Sequence, residues 1–228
     1  MSVYFLRRGK ASVLDAIFAN NSWEAIIAAC QSGRVPDSWS IGDSKMMTIG
    51  GTNYQIDIIG KNHDTYTAGG TAPLTFQMHD CYANFYSIYN FESNKYGWTN
   101  CTIRTGALPN ILALMPSEVR SGIREVNKLT SAGNQSATIK TTADKLFLLS
   151  EVEIFGSTTY AKSGEGSQYD YYKAGNSKVK HQGSNERMWW ERSPRGDNSK
   201  NYCRVTTVGT AGSDAAHNTN CVAFAFCF

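Results

Sequence analysis

No stretch of this 228-residue chain approaches the ~20 consecutive apolar residues that a membrane-spanning helix needs, so no membrane span is expected. The opening MSVYFLRRGKASVLDAIFAN lacks the unbroken apolar run of a secretory leader, because Arg7, Arg8, Lys10 and Asp15 interrupt it, and no signal peptide is visible. There is no run of Lys or Arg, and a net charge of +3 is too small to gather phosphates, so nucleic acid is not an expected partner. None of the six cysteines, Cys30, Cys81, Cys101, Cys203, Cys221 and Cys227, stands in a C-x-x-C pair. Buried reduced thiols are therefore favoured over the three disulfides that six cysteines would permit. The histidines His63, His79, His181 and His217 are scattered without metal-ligand spacing, so neither a metal nor a cofactor is expected. No internal repeat recurs.

The most informative absence is local. From Glu191 to Asn220, roughly thirty residues, there is no Leu, Ile, Met, Phe or Trp. Such a stretch buries too little apolar surface to offset its own ordering entropy and must be held by its ends. Before it stands Trp189-Trp190. After it comes CVAFAFCF, in which Val222, Phe224, Phe226 and Phe228 alternate with Cys221, Ala223, Ala225 and Cys227. Bulky residues on one face and small ones on the other predict a central strand packed on both sides.

With 41% hydrophobic and 18% charged residues, the rest of the chain can bury one sizeable core. Asn21-Ser22-Trp23-Glu24 predicts a helix start in which Asn21 caps and Glu24 reaches back, with Trp23, Ile26, Ile27 and Cys30 on one face. Ser32-Gly33 predicts its end. Lys45 to Ile49 and Tyr54 to Ile59, separated by Gly50-Gly51-Thr52-Asn53, predict a β-hairpin, and Leu74 to Met78 a further strand. Pro116-Ser117-Glu118 opens a short helix on which Val119 and Ile123 share a face, and Lys145 to Phe155 reads as a long apolar strand or a helix-to-strand passage. Strands and short helices mix without a βαβ rhythm, which predicts an α+β fold.

NHDTYT, TFQMHDCYA, LPNILALMPSEVRSGIREVNKLTSAG, DKLFLLSEVEIFGSTTY, WWERSP, DNS, YCRV and the closing VAFAFCF together resemble a phage- and bacterium-associated domain. That domain has the C-type lectin fold of the formylglycine-generating-enzyme type, and its members are often variable proteins of diversity-generating retroelements. The resemblance covers about residues 37–228. It implies short antiparallel sheets with two or more helices and long loops. It also implies a scaffold of Trp189, Trp190, Arg192, Ser193, Pro194, Asn198, Tyr202, Val205, Gly209 and the strand 222–228, which includes Phe224 and Phe226. Between these, in a variable region of about residues 191–220, it implies ligand-binding positions Glu191, Arg195, Lys200, Asn201, Arg204, Thr206, Thr207, Thr210, Ser213, Asp214, His217, Asn218 and Asn220. Most of these residue types are reachable from an AAY codon by changing adenines; Lys200 and Glu191 are not.

The expected function is recognition of a protein or glycan ligand on a host-cell surface, by a protein of a phage tail or of a cell surface, without catalysis. The Ser/Thr/Asn/Gly composition of the stretch suits adaptable hydrogen bonding. Residues 1–36 are expected to form a helical segment that attaches the domain to a particle or mediates oligomerisation, with Trp23, Ile26 and Ile27 as the contact face or packed on the domain. Lys173, Lys178, Lys180, Arg187, Arg192, Arg195, Lys200 and Arg204 against Glu186, Glu191 and Asp197 give a cationic bias that could steer an anionic target. The alternative is a non-diversified structural or adhesion protein of a virion or cell surface. Calcium-dependent sugar binding is disfavoured, because Leu108-Pro109-Asn110 has an apolar residue where the acid or amide should stand. An oxidative enzyme built on Cys203, Cys221 and Cys227 is disfavoured because thiols in an apolar strand are usually inert.

Overall fold

The computed structural model describes residues 14–228. Helix α1 (Trp23–Ser32) begins at Ser22, whose side chain accepts from the Ala25 N–H, and ends at Gly33, which takes the left-handed conformation. The cap is thus Ser22 and not Asn21; the Asn21 amide is spent on the carbonyls of Asp15, Ile17 and Phe18. Strands β1 (Ser44–Ile49) and β2 (Thr52–Lys61) form the expected hairpin, with Ile49 opposite Thr52. Its turn is shorter than expected, because Gly50 and Gly51 both hold positive φ and close it in two residues.

β2 pairs with β3 (Leu74–Met78), and β3 with β11 (Ala225–Cys227), giving a four-stranded antiparallel sheet of order β1-β2-β3-β11. On the far side of β11, isolated bridges tie Ala225 to Phe147 and Cys227 to Arg124. The closing segment 221–228 is therefore flanked on both edges, and each of its residues is fully buried. Its Phe226 and Phe228 pack with Phe18, Trp23 and Phe76 in one aromatic cluster, with Phe76 stacked on Phe226 at 5.4 Å between ring centroids.

A π-helical turn at Ile103–Ala107 runs into α2 (Leu108–Leu114), and α3 (Ser117–Gly122) follows. Strands β4 (Val126–Ser131) and β5 (Ile139–Asp144) pair with each other. The segment Lys145 to Phe155, expected to be a long apolar strand or a helix-to-strand passage, is neither. Residues 145–150 form no regular strand beyond the bridge of Phe147 to Ala225, and α4 (Glu151–Phe155) then starts on a capping box between Ser150 and Glu153. After α5 (Asp170–Lys173), the small hairpin of β6 (Lys180–Gln182) and β7 (Asn185–Arg187) leads into β8 (Trp189–Pro194). β8, β9 (Asn201–Val205) and β10 (Ala211–Ala215) make a second antiparallel sheet of order β10-β9-β8.

The architecture is α+β, with small antiparallel sheets and few helices. No helix among the described residues is long and apolar enough to cross a membrane. The helical segment expected over residues 1–36 is not separate within its described part. Trp23, Ile26 and Ile27 are buried, Trp23 against Phe76 and Phe228, and α1 packs on α3. An attachment role for residues 1–13 lies outside the described residues.

Candidate functional site

The core-poor stretch is threaded between two kinds of clamp. The first is the buried strand β8. Trp189 donates its indole N–H to the Lys178 carbonyl at 3.0 Å and Trp190 to the Tyr86 carbonyl at 2.7 Å. Arg192 is fully buried, and its guanidinium donates to both oxygens of Glu153, to the carbonyls of Leu129, Leu148 and Glu165, and to the Thr130 hydroxyl. Lys128 joins this network by bonding Asp64 and Glu153, each at 2.7 Å. Burial opposes ionisation of both carboxylates, but the neighbouring cations prevail. The Lys128 ammonium, with hydrogen bonds from Lys128 and Thr75, holds Asp64 down at about 2, and the charges of Arg192 and Lys128 hold Glu153 below the usual carboxylate range.

The second clamp is Asn94, fully buried, whose amide donates to the carbonyls of Arg195 at 3.2 Å, Asn198 at 2.7 Å and Asn201 at 2.8 Å, while its oxygen accepts from the Asn134 N–H at 2.8 Å. One side chain thus fixes the backbone between β8 and β9. Gly133 is glycine for this reason: at φ +80°, an added Cβ would lie 1.9 Å from the Asn94 carbonyl oxygen. Asn94 was not singled out from sequence, since its partners lie about a hundred residues away and leave no local pattern.

Held this way, the hairpin of β9 and β10 carries polar side chains that brace one another. In the register Ser213 lies opposite Cys203, Gly212 opposite Arg204 and Asp214 opposite Tyr202. Period-two alternation then puts Arg204 and Asp214 on one face of the ribbon and Asn201 and Ser213 on the other. On the first face Arg204 donates to Asp214 at 2.8 Å, and Asp214 also accepts from the amides of Asn218 at 2.7 Å and Asn220 at 3.1 Å. On the second, Arg195 donates to Ser213 at 2.8 Å and pairs with the exposed Asp197. At the loop end, the Thr206 and Thr210 hydroxyls are 2.7 Å apart, and Val208 between them is 70% exposed.

The positions implied as ligand-binding therefore do not share one flat face. Lys200, Thr210, His217 and Asn218 are exposed; Arg195, Asn201, Arg204, Thr206, Thr207, Ser213 and Asp214 are half-buried, at the strand edge and loops; Asn220 is buried beside Tyr86. Glu191 departs from the expectation. It is fully buried between Trp190 and Arg192, and neither carboxylate oxygen has a hydrogen-bond partner. Burial, with Glu151 and Glu165 close by, pushes its carboxyl well above the usual range. It cannot contact a ligand at the surface. The scaffold positions Trp189, Trp190, Arg192, Pro194, Tyr202, Phe224 and Phe226 are all buried.

The cationic bias seen in the sequence is largely spent internally. Lys180 and Arg192 are buried, Arg195 pairs with Asp197, Arg204 with Asp214, and Lys200 lies 3.4 Å from Glu92. Beside the ribbon stand the partly exposed aromatics Phe91 and Tyr96, with Tyr89 linking them to Tyr202, and Tyr160 stacked under the Arg195 guanidinium at 4.8 Å. Among the described residues no three His, Cys, Asp or Glu side chains converge as metal ligands.

Fold and surface together define an α+β domain whose polar C-terminal ribbon is braced by buried clamps. The chain belongs to the family described as "Domain of unknown function (DUF6273)", which matches residues 76–228. No curated protein and no solved structure matches it.

Proposed function

We propose that the chain is a ligand-recognition module that presents the edge and loops of the β9–β10 ribbon, residues 195–219, to a protein or glycan on a host-cell surface. The scaffold would be C-type lectin-like, of the formylglycine-generating-enzyme type, and the exposed positions would be diversified by a retroelement reverse transcriptase. The observation that carries this reading is the division of labour between side chains. The loop that leads into the ribbon is fixed by Asn94, and the neighbouring strand β8 by its tryptophans and arginine, all groups outside the polar set, whereas the polar side chains of the ribbon mainly brace each other. Such side chains can be exchanged without removing what sets the loop geometry. Adaptable polar groups beside Phe91, Tyr96 and Tyr160 are the composition that recognition surfaces use. The role is binding, without a catalytic step, and a phage tail or cell surface is the fitting location.

A second reading, a non-diversified structural or adhesion protein, draws on β10, an edge strand that could pair with a neighbouring subunit. Sequencing the gene from several isolates separates the two. Diversification predicts substitutions concentrated at exposed positions between 195 and 219, with a near-repeat and a reverse transcriptase alongside. Substitutions spread evenly along the chain would overturn it. An array of glycans and surface proteins, probed with the wild type and with an R204A/H217A variant, then reads the ligand class.

A further inference from the structure

We propose that the cleft between the β1–β2 hairpin, the turn after β3 and the β6–β7 hairpin is a binding site for an uncharged sugar, separate from the β9–β10 ribbon and independent of the role proposed for it. The cleft encloses about 400 Å³. Ligand pockets run from roughly 300 to 1,000 Å³, so this one admits one or two sugar rings and not a long chain.

Its walls are fixed from beneath. The His79 N–H donates to the Gln55 carbonyl at 2.9 Å and the Cys81 N–H to the His181 carbonyl at 3.0 Å, which ties the turn after β3 to both hairpins. Behind that turn the buried Lys180 spends its ammonium on the carbonyls of Met78 at 2.6 Å and His79 at 2.8 Å. The Asp80 carboxylate accepts from the His181 N–H at 2.7 Å. The frame is therefore set before any ligand arrives, and little ordering entropy is lost on binding.

The lining offers both halves of what a sugar needs. Tyr54, backed by Tyr82 at 5.4 Å between ring centroids, and the exposed Met46 supply apolar surface for the C–H face of a pyranose ring. Hydroxyl groups, which donate and accept at once, meet partners of both kinds. His79 Nδ1 lies 2.7 Å from Asp57 Oδ2, and Asp57 is buried and takes the Gln55 amide on its other oxygen at 3.1 Å. The carboxylate holds the imidazole proton on Nδ1, which leaves Nε2 as an acceptor that bonds to no described residue. The Asn53 oxygen accepts from the Thr48 hydroxyl at 2.6 Å, which fixes the amide and keeps its N–H groups as donors, while Asp80 adds a second acceptor.

Charge selects an uncharged ligand. Among the described residues no lysine or arginine lines the cleft, and the Asp80 side chain is 44% exposed, so an anion would meet a carboxylate with no ammonium or guanidinium beside it. A cation would meet the imidazoles of His79 and His181, and Asp80 already lies 3.4 Å from His181 Nδ1.

The test titrates the isotopically labelled full-length protein with glucose, galactose, mannose, N-acetylglucosamine and lactose, with sialic acid as the anionic comparison, and follows the amide chemical shifts. At least one neutral sugar should shift residues 52–55, 79–83 and 181–183 saturably and leave β9 and β10 in place, and sialic acid should bind more weakly. Asp80→Asn keeps an oxygen for the His181 N–H but loses the charged acceptor, and should weaken that binding about tenfold. No saturable shift with any neutral sugar, tighter binding of sialic acid, or an Asp80→Asn variant that binds as the wild type does would each overturn the proposal. Shifts confined to residues 195–219 would overturn it while supporting the ribbon as a glycan site. The wild-type map decides this even if the variant fails to fold.

Discussion

Glu191 is the residue at which sequence-based expectation and interior physics disagree most sharply, and Glu191→Gln tests which governs. The carboxyl is fully buried, neither oxygen has a partner, and Glu151 and Glu165 add like charge. Its folded-state affinity for a proton is therefore raised above the ordinary value of 4.5. Below that value the side chain is neutral in both folded and unfolded states and has no pH-dependent cost. As pH rises, the unfolded chain releases the proton while the folded chain holds it, and stability falls by about 1.4 kcal/mol per pH unit until the folded-state value is passed. Glutamine keeps the shape, stays neutral at every pH, and leaves a similarly unpartnered polar group, so it removes only the titrating part. Glu191→Gln should therefore unfold with the wild type near pH 4.5 and above it at pH 7, the gap widening by roughly 2–5 °C per pH unit for a chain of this size until the folded-state carboxyl ionises. Thermal scans by circular dichroism from pH 4.5 to 7.5 read the difference. A variant less stable than the wild type at pH 7, or an offset that ignores pH, would refute the reasoning. Ligand binding should be unchanged.

Two further outcomes follow from the clamps. Asp64 is held at about 2, against an ordinary value of 3.8, so its contribution is present above pH 3.8 and is lost as pH falls through about 2; urea midpoints between pH 5 and 2 should show a loss of about 2 kcal/mol that Asp64→Asn lacks. An unaltered acid slope in that variant would exclude Asp64 as its source. Asn94→Ala strands three carbonyls and should cost roughly 1–3 kcal/mol. Hydrogen exchange should quicken across residues 195–201 while β2 and β3 keep their protection; uniform quickening would mean that Asn94 is not a local clamp.

Elements written in local chemistry were legible from the sequence. The β1–β2 hairpin announces itself through two consecutive glycines between alternating runs, and α1 through its helical period and its terminal Gly33. The cap was misplaced by one residue because Asn21 and Ser22 are both capable, and only the backbone geometry at Ser22 decides between them. At 145–155 neither the long strand nor the helix-to-strand passage formed, and the short helix that did form was signalled by Ser150-x-x-Glu153. The site was harder to read. Family likeness marks Glu191 as changeable, but its burial follows from lying within β8, every residue of which is enclosed. Asn94 was invisible because a side chain that organises distant carbonyls has no characteristic spacing.

The energetic contrast between clamp and ribbon bears on whether such a surface could tolerate exchange of its side chains. Arg192 satisfies its donors on Glu153 and on backbone carbonyls from three separate segments, and losing one partner of a buried pair of this kind costs about 3–5 kcal/mol. Arg204 and Asp214, partly open to solvent, form a pair worth at most about 1 kcal/mol after screening. For a domain whose total stability is on the order of 5–15 kcal/mol, the first change threatens folding and the second does not. A gene that varied Arg204, Asp214 or His217 would keep a folded product, whereas variation at Arg192 or Asn94 would lose the loop geometry itself. Glu191 stands apart from both groups, because replacing it with a neutral residue of similar shape would strengthen the fold without altering the surface.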